Sequence, residues 1–426
     1  MLHGKATVPF GNAPPAFGVC LSPGGRLGYR SVEGRPMRAI IVLLVTALAF
    51  SACAQSRGTI PGDATVGDAA WRPAGAAAST SILKELTSQS TVGSTVDTAN
   101  GDKHPLGLSL PEFSRGNIKA GDVYVCNYAD KSGTLGSGTT IEAVTPGSAT
   151  AEPVRFAQSP SLLGCAGFAI DGNDTAWVAA SGTKAEVTLS PAGAPQKIYS
   201  KGYSRPFGTT FVSTGQLYGS HYVFVSDVAT GAITLAEACA PSAPCTYPNV
   251  QIVVGFPVRS AKQGALGPVG LAYDPAASEP QCMGCGALYV ADSADNTVVE
   301  IFDAALLNKA KSIVVGANGK TFSGPDAKYA KVFHTGLPLS MPGGVTMLYE
   351  QVVSGTPTAP GNLVVANSAG KNELVEFSPA GKPLDRLVVD KGAPGALFGM
   401  QAIGSGAATK LYLTDSNSNT IQVLQK

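Results

Sequence analysis

The sequence has little charge and no excess of either sign. Charged residues make up 14% of the 426 positions, and 30 Lys and Arg nearly balance 29 Asp and Glu, which gives a formal net charge of +1. A surface that binds a polyanion needs a basic excess. The composition therefore predicts that nucleic acid is not a partner.

Motifs that identify a particular enzymatic reaction are also missing. The chain contains no Gly-Lys-Ser/Thr phosphate loop, no Gly-x-Ser-x-Gly nucleophile elbow and no His-Glu-x-x-His pair. Histidine is scarce, with four residues in all. The sequence thus indicates a cellular address and an architecture more clearly than it indicates a ligand or a substrate.

The composition nevertheless excludes a wholly disordered chain. Hydrophobic residues make up 44% of the sequence, enough for a large core, and 51 Gly with 30 Pro supply many turns. This combination favours a loop-rich, all-β globular protein.

An export signal begins at Met37. Arg38 is followed by an apolar run at 39–50 and by small residues around Cys53, a pattern typical of a signal peptide and too short to span a bilayer. We read residues 1–36 as a non-native upstream extension, with a long n-region as the alternative, and residues 37–52 as the signal peptide.

Two processing sites are open at the end of this signal. Phe50-Ser51-Ala52-Cys53 resembles a bacterial lipobox, which would make Cys53 the lipidated first residue, whereas Ala52-Cys53-Ala54 fits ordinary cleavage after Ala54. Residues 53–79 are rich in small residues and predict a flexible tether. We expect a lipoprotein facing the periplasm or the cell surface, touching the membrane only through its anchor; the alternative is a soluble periplasmic or secreted protein.

Six cysteines remain in the folded region, an even number that favours disulfides in an exported protein. Local pairing is the simplest assignment, and the residues are Cys126 with Cys165, Cys239 with Cys245, and Cys282 with Cys285. A strand follows Cys285, so the last pair is interpreted as a structural staple rather than as a redox or zinc site.

The most informative feature is an internal repeat. Each copy has a Gly-containing apolar strand, often led by Pro-x-Gly, then a hydrophobic strand that ends in Asp, Asn or a small residue, then an alternating strand. Six second strands are recognisable: 123–127, 176–180, 223–227, 288–292, 363–367 and 411–415. Fourth strands are predicted at 197–199, 251–254, 312–315 and 386–389.

Six units of four antiparallel strands describe an all-β, six-bladed β-propeller over residues 80–426. The chain ends at Lys426, directly after the third strand of the sixth unit. We therefore expect an N-terminal strand, from the segment Thr80–Leu86, to complete that blade and remove its open edge.

The repeats resemble a known family. Pro268–Ala272 followed by Leu288–Val298 is similar to an NHL repeat, and Lys410–Val423 matches its second half. The resemblance extends over about residues 104–426 and implies a ring-shaped propeller. Members of this group have varied roles: some bind proteins or nucleic acid, and some are related to lyases and lactonases.

Candidate site residues follow from the propeller. His104, His221 and His334 could converge at the mouth of the central channel, although they also fit solvated loops. The acidic or amide residues that end the second strands are interpreted as caps of the following turn, and they are Asn127, Asp227, Asp292, Asn367 and Asp415. We predict no cofactor; calcium is the candidate that the Asp-rich turns suggest, although they do not match an EF-hand loop.

Two functions are compatible with these features. The favoured one is a monomeric binding or interaction scaffold of the cell envelope whose ligand is a protein, peptide or glycan. The alternative is a propeller hydrolase or lyase, lactonase-like, that acts on a small molecule with a metal at the central channel.

Overall fold

The computed structural model of the protein describes residues 80–147, 152–172, 174–212, 221–238, 249–261, 264–277 and 286–426. The predicted upstream extension (1–36), signal peptide (37–52), tether (53–79) and lipidation site at Cys53 lie outside the described residues. The same holds for Cys239, Cys245, Cys282 and Cys285. No helix within the described ranges is long and apolar enough to cross a membrane.

Thirty strands occur in the described ranges and are numbered here in chain order, each four-stranded unit being called a blade. Strand β1 is Ser88–Ser94. Blade one comprises β2 (Lys103–Ser109), β3 (Val123–Ala129), β4 (Thr140–Val144) and β5 (Val154–Gln158). Blade two comprises β6 (Cys165–Ile170), β7 (Ala176–Ala180), β8 (Ala185–Leu189) and β9 (Pro195–Tyr199). Blade three comprises β10 (Pro206–Phe211), β11 (His221–Asp227), β12 (Ala232–Ala238) and β13 (Val250–Val254).

A hairpin of β14 (Arg259–Ala261) and β15 (Gly264–Leu266) precedes blade four. Blade four contains β16 (Pro268–Asp274), β17 (Ala287–Asp292) and β18 (Thr297–Phe302); β19 (Ile313–Val315) and β20 (Phe322–Ser323) then precede its fourth strand, β21 (Ala330–Thr335). Blade five has β22 (Pro342–Leu348), a small hairpin of β23 (Val352–Val353) and β24 (Thr356–Pro357), β25 (Asn362–Asn367), β26 (Asn372–Phe377) and β27 (Pro383–Asp390). Blade six has β28 (Leu397–Ile403), β29 (Lys410–Asp415) and β30 (Thr420–Gln425). The same described ranges contain five single-turn 3₁₀ helices: Leu83–Glu85, Pro160–Leu162, Ala304–Leu306, Ala327–Tyr329 and Gly406–Ala408.

These sheets form an all-β, six-bladed propeller, as the repeat predicted. Strands within each blade are antiparallel, and the first strand of every blade is innermost. Each innermost strand contacts that of the next blade, and β28 of blade six contacts β2 of blade one, so the ring is continuous. Second strands such as β3 and β25 are buried along their whole length because both of their faces pack against neighbouring blades.

The fourth strand of the last blade is β1. It pairs antiparallel with β30, from Ser88 opposite Gln425 to Ser94 opposite Thr420. The segment Thr80–Leu86, which the sequence suggested for this place, does not form the strand. It contains the 3₁₀ turn Leu83–Glu85. The Ser81 hydroxyl before this turn and the Leu83 N–H donate to Glu376 of blade five at 2.5 and 3.1 Å. This carboxylate holds the segment beside blade five, so the next residues along the chain supply the strand.

The predicted fourth strand of blade four is wrong. Residues 313–315 form β19, which lies parallel to β13 and extends the sheet of blade three, with Val253 opposite Ile313. The true fourth strand, β21, pairs with β18. Both candidate segments are short and apolar, so the local sequence did not distinguish an extension of one blade from the edge of the next.

A cluster of two buried carboxyl groups and an arginine connects the segment after β1 to blade one. Arg155 of β5 donates two hydrogen bonds to Asp97, at 2.6 and 2.5 Å. Burial raises the pKa of Asp97, but the hydrogen bonds from Arg155, Glu142 and the backbone N–H groups of Asn100 and Ala99 together outweigh it and hold that pKa well below its usual range. Glu142 of β4 lies beside this pair, and burial together with the Asp97 carboxylate raises the pKa of Glu142 to about 9. Glu142 is therefore protonated at neutral pH.

A candidate binding site at the mouth of the channel

A β-bulge occurs at the same place in every innermost strand. The pairing with the second strand skips one or two residues just after the strand begins, as between Pro206 and Thr209 in β10 and between Leu397 and Met400 in β28. The other four innermost strands share this irregularity. A bulge bends a strand and redirects its side chains. Here it falls on the x-Gly part of the repeated motif.

The repeat glycines are the points at which neighbouring innermost strands touch. A Cβ atom on any of the six would lie within 3.0 Å of backbone atoms of the next blade, and the six are Gly107, Gly167, Gly208, Gly270, Gly344 and Gly399. The last of them approaches Leu106 of blade one, which completes the circle. Any other residue would force the strands apart, so this ring of glycines explains why the motif recurs.

The residues before these glycines close the channel. Phe207 of blade three and Phe398 of blade six contact each other in an edge-to-face arrangement, with ring centroids 5.2 Å apart. The third and sixth blades of a six-membered ring are opposite one another, so these two rings meet across the axis. Leu106 and Ala166 belong to the same apolar cluster. We call these four residues the plug.

Polar side chains surround the plug at the end of the ring where the innermost strands begin, which we call the mouth. Tyr128 at the end of β3 packs edge-on against Phe207, with centroids 5.9 Å apart, and its hydroxyl accepts a hydrogen bond of 3.2 Å from the guanidinium of Arg205. The ring of His104 lies 6.3 Å from the Tyr128 ring. Burial lowers the pKa of His104, so this imidazole is neutral at pH 7.

The three candidate histidines do not converge. His104 is the second residue of β2 and has a φ of 64°. Its backbone N–H donates to the Asn419 side chain at 2.8 Å. His334 lies in β21, the outermost strand of blade four, where its two ring nitrogens contact the carbonyl oxygens of Gly381 and Leu337 at 3.0 and 3.1 Å. The backbone of His221 begins β11, at the opposite end of the ring from His104. Of the three, only His104 therefore lies beside the side chains that surround the plug.

The residues that end the second strands do two different jobs. Asp227, Asp292 and Asp415 each accept N–H bonds of 2.9 to 3.0 Å from the turn that follows. Asn127 and Asn367 bond the incoming connection, as Asp227 also does through the N–H groups of Ser204 and Arg205. Asn127 donates to Thr95, and Asn367 accepts from Ser340 and donates to Pro338. The Asn367 amide both donates and accepts, which lets it clamp the neighbouring backbone segment.

Several carboxyl groups are buried between sheets rather than at the mouth. Glu186 in β8 accepts a hydrogen bond of 2.8 Å from Tyr203, and burial raises the pKa of Glu186 to about 8. Glu300 in β18 pairs with Lys331 at 3.0 Å. Asp274, at the end of β16, accepts bonds from Tyr349 and from the Gly361 N–H at 3.2 and 3.0 Å. These groups connect strands and blades.

The described residues contain one disulfide and no group of metal-ligating side chains. Across the described ranges, no three His, Cys, Asp or Glu side chains are grouped so that they could hold a metal ion. The predicted disulfide between Cys126 of β3 and Cys165 of β6 is confirmed, with 5.3 Å between the two Cα atoms. It connects blades one and two next to the plug residue Ala166.

Sequence reasoning missed four residues of the mouth: Tyr128, Arg205, Phe207 and Phe398. Phe207 and Phe398 carried a signal, since both directly precede a repeat glycine. No sequence pattern pointed to Tyr128 or Arg205, because the contact between them depends on the distance between blades one and three.

The fold and this site define a six-bladed β-propeller whose channel is closed at one end by an apolar plug. Solved structures with similar architecture include a virginiamycin B lyase from Staphylococcus aureus (12% identity, 80% of this chain and 85% of that chain, TM-score 0.45). A gluconolactonase from Xanthomonas campestris (12%, 76% and 86%, 0.46) and the calcium-binding protein regucalcin from Agrobacterium tumefaciens (13%, 78% and 93%, 0.46) are others.

Similarity at these identities and TM-scores carries no conclusion about chemistry at the mouth. No protein-family model matches the chain, and no curated protein matches its sequence. The resemblance to NHL repeats therefore stays a prediction.

Proposed function

We propose that this protein is an exported binding propeller that takes its ligand at the mouth rather than inside the channel. The observation that carries the proposal is the contact between Phe207 and Phe398 across the axis. Because Phe207 and Phe398 meet at the axis, they give the mouth an apolar floor. Ligand sites commonly combine such a floor with a few polar groups that fix orientation, here Arg205, Tyr128 and His104.

The buried carboxyl groups support a binding role over the hydrolase or lyase alternative. Glu186 and Glu300 lie on third strands between the sheets, where Tyr203 and Lys331 occupy them. A ligand that rests on the plug does not reach them. The metal-dependent alternative needs acidic ligands inside an accessible channel, and the plug blocks that channel from the mouth.

An envelope location is part of the proposal. The disulfide between Cys126 and Cys165 fits a compartment that keeps thiols oxidised, and the sequence at 37–53 reads as an export signal with a lipidation site. Cys53→Ser should move the protein from the membrane fraction to the soluble periplasm. A variant that stays membrane-bound, or a mature chain that begins at Gln55, contradicts lipidation.

The binding role is tested with an array of defined oligosaccharides and a displayed library of random peptides. Phe398→Ala is compared with wild type and with Ile198→Ala, a control on the exposed outer strand β9, where Ile198 is 56% exposed. We expect a ligand class that wild type and the control retain and that Phe398→Ala loses at an unchanged circular dichroism spectrum. Binding that is insensitive to Phe398→Ala argues against the mouth.

A further inference from the structure

Arg205 brings a positively charged guanidinium to the mouth. It precedes β10, is half-buried, and forms none of the ion pairs found among the described residues. Its guanidinium donates to the neutral hydroxyl of Tyr128 at 3.2 Å. A guanidinium has five N–H donors in a planar fork, so this contact leaves most of that capacity for a ligand.

The carboxylate of Asp227 binds the backbone N–H of Arg205 and not its guanidinium. Asp227 accepts N–H bonds from Ser204 and Arg205 on one oxygen, at 2.6 and 3.0 Å, and from Ala229 and Thr230 on the other, at 2.9 Å each. Four backbone donors thus use its lone pairs. It fixes the backbone of Arg205 and leaves the guanidinium to Tyr128.

An aromatic floor lies beside this charge. Phe207 and Phe398 are each half-buried, so part of each ring remains accessible. Tyr128 contacts Phe207 and also binds Arg205, which places the guanidinium next to the plug. His104 contributes a neutral imidazole at the rim. The mouth therefore offers one flat apolar surface and one positive group.

Resting on the proposed function, we propose that the mouth recognises a six-membered ring that carries a carboxylate. Arg205, oriented by Tyr128, holds the carboxylate through paired N–H donors, and Phe207 and Phe398 support the face of the ring. The ring could be the sugar of a uronic acid at a glycan end or the ring of an aromatic acid, and the test separates these sources.

The test uses two matched pairs of probes: methyl glucuronide with methyl glucoside, and benzoate with benzamide. Binding is followed by ligand-observed NMR and by calorimetry at low and at 0.5 M salt. In one pair at least, the acid should bind about tenfold or more tightly than its neutral partner, because bonds to charged groups are the stronger ones. The pair that shows the preference identifies the source, and salt should weaken it.

Three variants test whether Arg205 causes the preference for the acid. Arg205→Gln keeps a donor for Tyr128 and should abolish the preference for the acid, and Tyr128→Phe, which frees the guanidinium, should reduce it. Arg259→Gln is the control, because Arg259 pairs with Asp295 and its side chain is 60% exposed. Equal binding of acid and neutral probe, no binding of any probe, or a preference that survives Arg205→Gln overturns the inference.

Failure of this inference is distinguishable from failure of the proposed function. If acid and neutral probes bind equally and Phe398→Ala abolishes both, the mouth binds ligand without recognising charge. If binding survives Phe398→Ala, both proposals fail.

Discussion

Replacing one glycine of the ring tests the architecture most directly. In Gly270→Ala, the new Cβ would fall under 3.0 Å from the carbonyl of Gly343 in the next blade. The obstructing atom belongs to a backbone that cannot rotate away, so blades four and five must separate. Overpacking a tight site costs about 1–3 kcal/mol, and we expect the upper end here. A gain of roughly 0.5–1 kcal/mol from the stiffer unfolded chain offsets part of it.

A net loss of about 2 kcal/mol can be measured by urea unfolding. With an unfolding entropy near 2.1 cal/mol/K per residue, a propeller of roughly 350 residues should lose about 3 °C in melting temperature. The control is Gly267→Ala in the connection to the same strand, where the nearest atom to a Cβ is 3.4 Å away and φ lies outside the left-handed region. It should stay within about 0.5 kcal/mol of wild type. If Gly270→Ala unfolds like the control, the blades do not touch where the ring of glycines requires.

Three further predictions concern pH, the disulfide and the last blade. Glu142 has a raised pKa of about 9, so its contribution to stability is complete below about pH 4.5 and is lost as pH rises through 9. The wild type should therefore lose stability between pH 6 and pH 9, and Glu142→Gln should lose less, by up to about 4 kcal/mol at 1.36 kcal/mol per pH unit. The free energy of unfolding is measured by urea titration across this range. Parallel plots of that free energy against pH for both proteins would contradict the prediction. Replacing Cys126 and Cys165 together by Ala should cost about 4 kcal/mol in the chain-entropy model of the loop that the disulfide closes, seen as a urea midpoint lower than that of oxidised wild type; equal midpoints would refute it. A chain that begins at residue 80 should melt like the full protein, whereas one that begins at residue 95 lacks β1, leaves β30 unpaired and should melt lower or aggregate; equal melting would mean that β1 contributes nothing.

The β-bulges of the innermost strands explain both why the channel is closed and why the mouth is exposed. Each bulge turns the residue before the repeat glycine towards the axis, and in blades three and six that residue is Phe. Smaller residues stand at this position in the other blades, such as Ala166. Two large rings from opposite blades can therefore meet without crowding, which leaves their outer faces for a ligand.

The sequence by itself determined the fold class, the number of blades and most strands. Period-two alternation and a sixfold repeat are local signals, because each strand must bury one face and each blade must repeat the same packing. The Cys126–Cys165 pair also followed from counting. The fourth strand of blade four and the segment that pairs with β30 were misjudged, since several short apolar segments fit an outer edge equally well in isolation.

Only the tertiary structure decided the site. The Pro-x-Gly repeat was visible in the sequence, yet its meaning lies in contacts between blades: glycine permits two backbones to touch, and Phe207 meets Phe398 because the ring brings opposite blades together at its axis. Arg205 and Tyr128 meet for the same reason. Such contacts depend on ring geometry rather than on any local pattern, so the sequence could name the strands but not the residues that face one another across the channel.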